Sequence, residues 1–199
     1  MDKVQLRHKL KSLLATLSPQ KRLEKSKAIC GYVLDSEPFE SASTVMVFLS
    51  LPHEIDTTAI ILSAWQQGKT IVVPKMLWKQ QDMIPVKITS LETGLQTEQM
   101  GLRNPVADTP TPLEAIDFVV TPGLGFDRQG NRLGRGAGYY DRFFSTPGVR
   151  AVKWGIGFSE QLCLEIPHDQ QDVPLDAVVT EQGVIDCLPA HVRPGRHEE

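Results

Sequence analysis

Thr121-Pro-Gly-Leu-Gly-Phe-Asp-Arg-Gln-Gly-Asn-Arg-Leu-Gly-Arg-Gly-Ala-Gly-Tyr-Tyr-Asp-Arg142 is the stretch on which the reading of this chain turns. It follows Phe118-Val-Val120, an apolar run that reads as a buried strand, and it ends in Tyr139 to Phe144, which reads as the start of a helix. Between them stand Gly123, Gly125, Gly130, Gly134, Gly136 and Gly138. Glycine tolerates positive φ and lets a ligand come close to the backbone. Successive exposed N–H groups in such a loop form a concavity suited to anions. Arg128, Arg132, Arg135 and Arg142 outnumber Asp127 and Asp141, although the whole chain carries a formal charge of −3. The basic surplus is therefore local. Strand, Gly/Arg loop and helix in that order is how α/β proteins build phosphate sites.

The rest of the chain supplies the other layers of such a fold. Leu6, Leu10, Leu13, Leu14 and Leu17 recur at helical spacing and predict a helix over 3–17. Lys3 and Arg7 lie four apart on the edge of that leucine stripe, beside the body of the protein. Ser18-Pro19 is an N-cap followed by a proline suited to the first helical position, and a second helix is expected from about 19 to 35. Residues 35–43 read as a loop. Thr44-Val-Met-Val-Phe-Leu49 is apolar on both faces, as strands of parallel sheets are. A polar turn, Ser50-Leu-Pro-His-Glu-Ile-Asp56, leads to a helix capped by Asp56 or Thr57, with Gly68 just past its end. Thr70-Ile-Val-Val-Pro74 is the next strand, which completes a β-α-β unit.

Further on, 83–89 predicts a short strand on a sheet edge because of Pro85. Residues 91–116 read as an irregular connection with one short helix. Strands are expected at 117–120, 152–158, 176–180 and 184–186, with a Gln182-Gly183 turn between the last two, and a helix at 138–145. The outcome is a three-layer α/β/α fold with a mostly parallel central sheet, a single domain over 1–187, and a loose tail over 188–199. At 199 residues the chain is long enough for a sizeable core.

Several function classes fall away. The net negative charge argues against a general nucleic-acid surface. No apolar run approaches the roughly 18 residues that span a bilayer, and Met1-Asp-Lys-Val-Gln-Leu-Arg7 lacks the apolar core of a signal peptide. Cys30, Cys163 and Cys187 are scattered and form no C-x-x-C, so neither a zinc site nor a disulfide framework is indicated, and a cytoplasmic location is expected. There is no G-x-x-x-x-G-K-[ST]. Arg128 stands where a third glycine would complete G-x-G-x-x-G after Gly123 and Gly125.

Pro122-Gly-Leu-Gly-Phe-Asp127 followed by Gly130-Asn-Arg-Leu-Gly-Arg-Gly-Ala-Gly-Tyr-Tyr-Asp141 resembles the hallmark of the 5-formyltetrahydrofolate cyclo-ligase family. The resemblance extends to Lys3 and Arg7 on the first helix, to Phe48-Leu-Ser50 with Glu54, and to Asp176. It implies an α/β/α enzyme that uses ATP and Mg²⁺ to convert 5-formyltetrahydrofolate to 5,10-methenyltetrahydrofolate, acting as a monomer without nucleic-acid or membrane partners. It implies ATP contacts at Lys3, Val4, Gln5, Leu6 and Arg7, and at Arg132, Leu133, Gly134, Arg135, Gly136, Ala137, Gly138, Tyr139 and Tyr140. It implies folate contacts at Leu49, Glu54, Arg135, Gly136, Ala137, Gly138 and Tyr139. Metal contacts fall on Asp141 and Asp176, and the central catalytic charge on Arg135. At Ala137 relatives often carry Gly or Lys, and at Asn104 often Glu. Trp78 and Met83 are candidates for an apolar wall. The competing expectations are a folate- or nucleotide-binding module without turnover, and an enzyme acting on sugar phosphates or CoA esters through a related α/β fold.

Overall fold

A computed structural model describes residues 1–98 and 101–187. The expected tail over 188–199 lies outside them. The central sheet has seven strands: β1 (Thr44–Val47), β2 (Thr70–Leu77), β3 (Asp82–Ile88), β6 (Phe118–Thr121), β9 (Val152–Ile156), β10 (Ala177–Thr180) and β11 (Gly183–Asp186). Their spatial order is β11-β10-β9-β6-β1-β2-β3. The five inner strands are parallel, and the two outer ones pair antiparallel with their neighbours. Alternation assigns each side chain to a face. Val45, Val47, Ile71, Val73, Phe118, Val120, Ala177 and Val179 join one core with residues of α2 (Pro19–Leu34), α3 (Glu37–Ser41) and α4 (Thr58–Gln66). Met46, Val72, Val119 and Val178 join the other, against Phe143 and Phe144 of α5 (Tyr139–Ser145).

Three local departures from expectation have physical causes. Residues 35–43 hold α3, where the Ser36 hydroxyl accepts from the Phe39 N–H and Phe39 is completely buried. Ser36-Glu-Pro38 repeats the cap-then-proline signature of Ser18-Pro19. β2 runs past Pro74 because its pairing with β1 ends at Val72; beyond that point β2 and β3 form a two-stranded arm with Pro74 opposite Pro85, where no further donor is needed on the β1 side. Within 91–116 lie β4 (Leu95–Thr97) and β5 (Arg103–Pro105), a small antiparallel pair, and a 3-10 turn at Leu113–Ala115. Asn104 docks that pair on the arm. Its Oδ1 accepts from the Met76 N–H at 2.8 Å and its Nδ2 donates to the Met76 carbonyl at 3.2 Å, imitating a strand.

The stretch from Thr121 is more ordered than a surface loop. Its first half is a hairpin of β7 (Gly125–Phe126) and β8 (Arg132–Leu133). The turn closes on Asp127, which is fully buried and accepts from the N–H groups of Gln129, Asn131 and Ile166 and from the Asn131 amide. Beneath it the Phe126 ring lies so near Gly155 and Gly157 that a Cβ on either would stand 2.6–2.8 Å from ring carbons. Glycine there is a matter of space. α1 (Lys3–Ala15) crosses the outside of the hairpin, where Leu6 and Leu10 pack with Leu133 and Ile166.

Candidate functional site

The chain leaves β1 toward β2 on one side and leaves β6 toward β9 on the other. Since β1 and β6 are neighbours, a crevice opens beyond their carboxyl ends, where open α/β sheets place ligands. Two pieces of chain flank it: the turn after β1 and the glycine-rich half of the opening stretch.

The turn is pinned at both feet. The Thr57 hydroxyl donates to the Phe48 carbonyl at 2.8 Å, and the Thr57 N–H donates to Ser50 Oγ at 3.0 Å. Thr57 is the first cap residue of α4 but spends its hydroxyl on this tie, while Asp56 Oδ1 accepts from the Thr58 N–H. Within the turn, Glu54 Oε2 accepts from the Leu51 N–H at 3.0 Å, which leaves Oε1 facing the loop.

The loop from Gly134 to Gly138 is held from below and left open above. Gly136 and Gly138 have positive φ. Among the described residues, the N–H groups of Arg135 to Gly138 have no hydrogen-bond partner. Arg7 Nε donates to the Gly134 carbonyl at 2.9 Å, which ties the loop to α1. Buried Arg132 lies beneath, its Nη2 donating to both oxygens of Asp141 at 3.0 Å and its guanidinium 5.4 Å from the Tyr140 ring centre. Arg132 Nε and the Tyr140 hydroxyl are buried without a partner. Burial holds the Tyr140 phenol well above its usual range, so it stays protonated.

Beside this loop is a cleft of about 670 Å³. Lys3, Arg7, Arg132 and Arg142 bring cations to it; Asp141, Asp169 and Asp172 bring carboxylates. Lys3 Nζ is 2.6 Å from Asp172 and 2.9 Å from Asp169. Partial burial alone would lower the Lys3 pKa, but the hydrogen bonds to Asp172 and Asp169 outweigh it and raise it. Arg135 stands away from the cleft. Its Nη2 donates to Glu54 Oε1 at 2.7 Å and lies 2.6 Å from His53 Nε2.

These positions sort the residues named from sequence. Lys3, Arg7, Arg132, Leu133, Gly134, Gly136, Gly138 and Asp141 meet in the cleft. Val4 is exposed, Gln5 completes the capping box with Asp2, and Leu6 is core, so from Lys3 to Arg7 only the two cations line it. Ala137 is exposed and Tyr139 sits edge-on to Trp78 with centroids 6.1 Å apart. Leu49 and Met83 are core residues; Trp78 is half exposed, its indole nitrogen donating to Glu98. Asp176 is not in the cleft lining. Its carboxylate accepts from the Lys153 N–H at 2.6 Å and pairs with Lys153 Nζ at 3.2 Å, because a strand-start carboxylate beside a parallel neighbour meets that neighbour's backbone. Asp172 and Asp169 were not singled out from sequence. The polar run His168-Asp-Gln-Gln-Asp172 carries no motif, and only the fold brings it to Asp141, whose Oδ1 lies 3.5 Å from the Val173 N–H.

Fold and cleft together define an α/β protein with an anion-receptive crevice at its topological switch point. Comparison with known proteins narrows the class. The sequence model of the 5-formyltetrahydrofolate cyclo-ligase family matches residues 1–181. The mouse 5-formyltetrahydrofolate cyclo-ligase is 33% identical over 187 residues, covering 88% of this chain and 92% of its own. The Escherichia coli K12 protein of the same name is 29% identical over 171 residues, covering 84% and 94%. Among solved structures, the 5,10-methenyltetrahydrofolate synthetase of Aquifex aeolicus superposes with a TM-score of 0.82 at 29% identity, covering 100% of this chain and 97% of that one. The chain belongs to the 5-formyltetrahydrofolate cyclo-ligase family. Among the described residues, no helix is long and apolar enough to cross a membrane.

Proposed function

We propose that this chain converts 5-formyltetrahydrofolate to 5,10-methenyltetrahydrofolate with consumption of ATP. The observation that supports it most is the meeting of the two halves of the crevice. A cation-lined cleft large enough for a nucleotide triphosphate adjoins a turn that presents Glu54 to N–H donors, in a chain of this family. In this reading the formyl oxygen attacks the γ-phosphorus, a P–O bond forms and ADP leaves. N10 then attacks the activated formyl carbon and loses its proton, and the carbon–oxygen bond to phosphate breaks as the ring closes. Phosphoryl transfer asks a protein for positioning and charge neutralisation. Lys3, Arg7, Arg132 and the free N–H groups of Arg135 to Gly138 serve the triphosphate. Arg135 follows the charge that develops on the transferred group. Glu54 accepts from the pterin, beside Leu49 and the loop to Tyr139.

The residues present also suit magnesium, which favours carboxylate and phosphate oxygens and keeps several waters. Asp141 and Asp172 both line the cleft, and each is now compensated by a cation, Arg132 and Lys3. Among the described residues no group of three ligating side chains is assembled, so the phosphates and water would complete the set. In our reading Asp172 takes the place assigned from sequence to Asp176. Magnesium, when bound there, neutralises phosphate charge.

The test is direct. Protein, Mg-ATP and 5-formyltetrahydrofolate are mixed, and the near-ultraviolet absorbance of the methenyl product is followed. An ATP-dependent rise is expected. Absence of the rise together with retained binding of both ligands would favour the binding module instead.

A further inference from the structure

Arg135 reaches across the crevice to residues 81 and 82 positions earlier in the chain. A guanidinium is always charged and only donates. His53 Nε2 must therefore accept, so the ring is neutral with its proton on Nδ1. Behind these three side chains is a hollow bounded by Phe48, Pro122 and Gly123, with a volume of about 20 Å³. That holds one water and no aromatic ring. With Arg135 in this position the space beside Glu54, which the functional reading gives to the substrate, admits no ring.

We propose that His53 is a positioning residue that, with Glu54, latches Arg135 onto the turn and thereby makes occupation of the two halves of the crevice mutually dependent. The inference rests on the functional reading above. The two sides of the latch are wanted by different ligands. Arg135 suits phosphate oxygens; Glu54 and His53 offer acceptors to N–H donors. The cost of opening is unequal. The Arg135 side chain is 43% exposed, so water takes over its solvation; the Glu54 side chain is only 17% exposed and is left an under-solvated anion. A ligand with N–H donors relieves Glu54, and a phosphate relieves Arg135. Each therefore lowers the cost of the other's entry, and linkage makes the effect equal in both directions. Burial first, and the Arg135 charge second, hold His53 below the usual imidazole range, with Arg22 and Lys11 adding to it and Glu54 opposing. This keeps Nε2 available as an acceptor near neutral pH.

Binding of the β,γ-imido analogue of ATP with magnesium, measured by calorimetry with and without saturating 5-formyltetrahydrofolate, tests the proposal. The folate is expected to tighten analogue binding about tenfold in the wild type. In His53→Ala the analogue alone should bind a few-fold tighter and the coupling should fall toward unity. His53→Gln keeps an acceptor and should restore it. Independently of any ligand, the His53 ring pKa followed by NMR should rise in Arg135→Gln. Coupling unchanged in His53→Ala, or an unmoved His53 titration in Arg135→Gln, would overturn the latch. Intact turnover with no coupling in the wild type would overturn it and leave the functional reading standing; failure to bind the folate at all would overturn both.

Discussion

Two ionic networks in this molecule use the same kinds of side chain to opposite ends. On one, Lys25 of α2 sits between Glu160 and Glu181, 2.7 Å from each, and also reaches Ser159 at 3.2 Å. Glu181 accepts further from the Ser159 N–H and hydroxyl. All three charged side chains are less than a third exposed and every strong partner is internal. On the other, Arg135 is nearly half exposed and leans on a turn and a loop whose N–H groups are open. A closed network over the ends of β9 and β10 clamps a helix to a sheet. An open one at the switch point leaves its charges exchangeable. The difference lies in how many partners each charge has and how much water reaches it, not in residue type.

That contrast yields predictions. The largest effect is expected from Arg135→Ala, which should lower kcat/KM by about 10²–10³, the range for removing one donor to developing charge, with a smaller loss of thermal stability than Lys25→Met, since one carboxylate rather than two loses its cation. A fall in Tm with normal kinetics would reverse the assignment of the two networks.

Lys25→Met should do the converse. It strands two partly buried carboxylates, at a cost of about 2 kcal/mol, which lowers Tm by about 4–8 °C for a chain of this length. Turnover below the melting range should be kept. Denaturant titration and steady-state kinetics of the same preparation check both halves.

The pH dependence of that loss follows from the shifts. Burial would raise the Glu181 pKa, but hydrogen bonds from Lys25 and Ser159 outweigh it and bring it below the ordinary 4.5. Its contribution is present above 4.5 and is lost as pH falls through the depressed value. For Lys25 burial opposes, and hydrogen bonds to Glu160 and Glu181 raise the pKa above 10.5, so its contribution is present below 10.5 and lost above it. The stability difference between wild type and Lys25→Met should be flat between these limits and shrink outside them, measured by urea unfolding across pH. A difference that grows in acid would refute the network.

The smallest effects separate the two carboxylates. Asp172→Asn should raise the magnesium concentration for half-maximal activity on the order of tenfold. Asp176→Asn should leave it unchanged while costing about 1 kcal/mol through the Lys153 contacts. Equal magnesium requirements in the two variants would remove Asp172 from the site.

The legible parts of the sequence were those where one short segment decides. The apolar runs at 44–49, 70–74 and 117–120 became inner parallel strands because both their faces are buried, and Pro85 did lie on an edge. Gly68 ends α4 with positive φ as its position suggested. Lys3 and Arg7, which share a helix edge, and Arg132 and Asp141, which belong to one motif, do line one cleft. What stayed hidden depends on pairing between distant segments. The two-residue strands β7 and β8 are too short for any periodicity. Asp172 joins Asp141 in the cleft only after β9 is laid beside β6, whereas Asp176 stands outside that lining, against Lys153. The docking role of Asn104 and the burial of Phe39 were likewise set by neighbours far along the chain.

Asp127 gives the opening stretch a consequence in time as well as shape. Its carboxylate holds the amides of Gln129, Asn131 and Ile166 in hydrogen bonds, while those of Arg135 to Gly138 have no partner among the described residues. In hydrogen exchange the first set should open only with the larger unit that contains the hairpin, and the second should exchange almost at once. On that expectation one continuous run of 22 residues, Thr121 to Arg142, divides into a slowly exchanging half and a rapidly exchanging one.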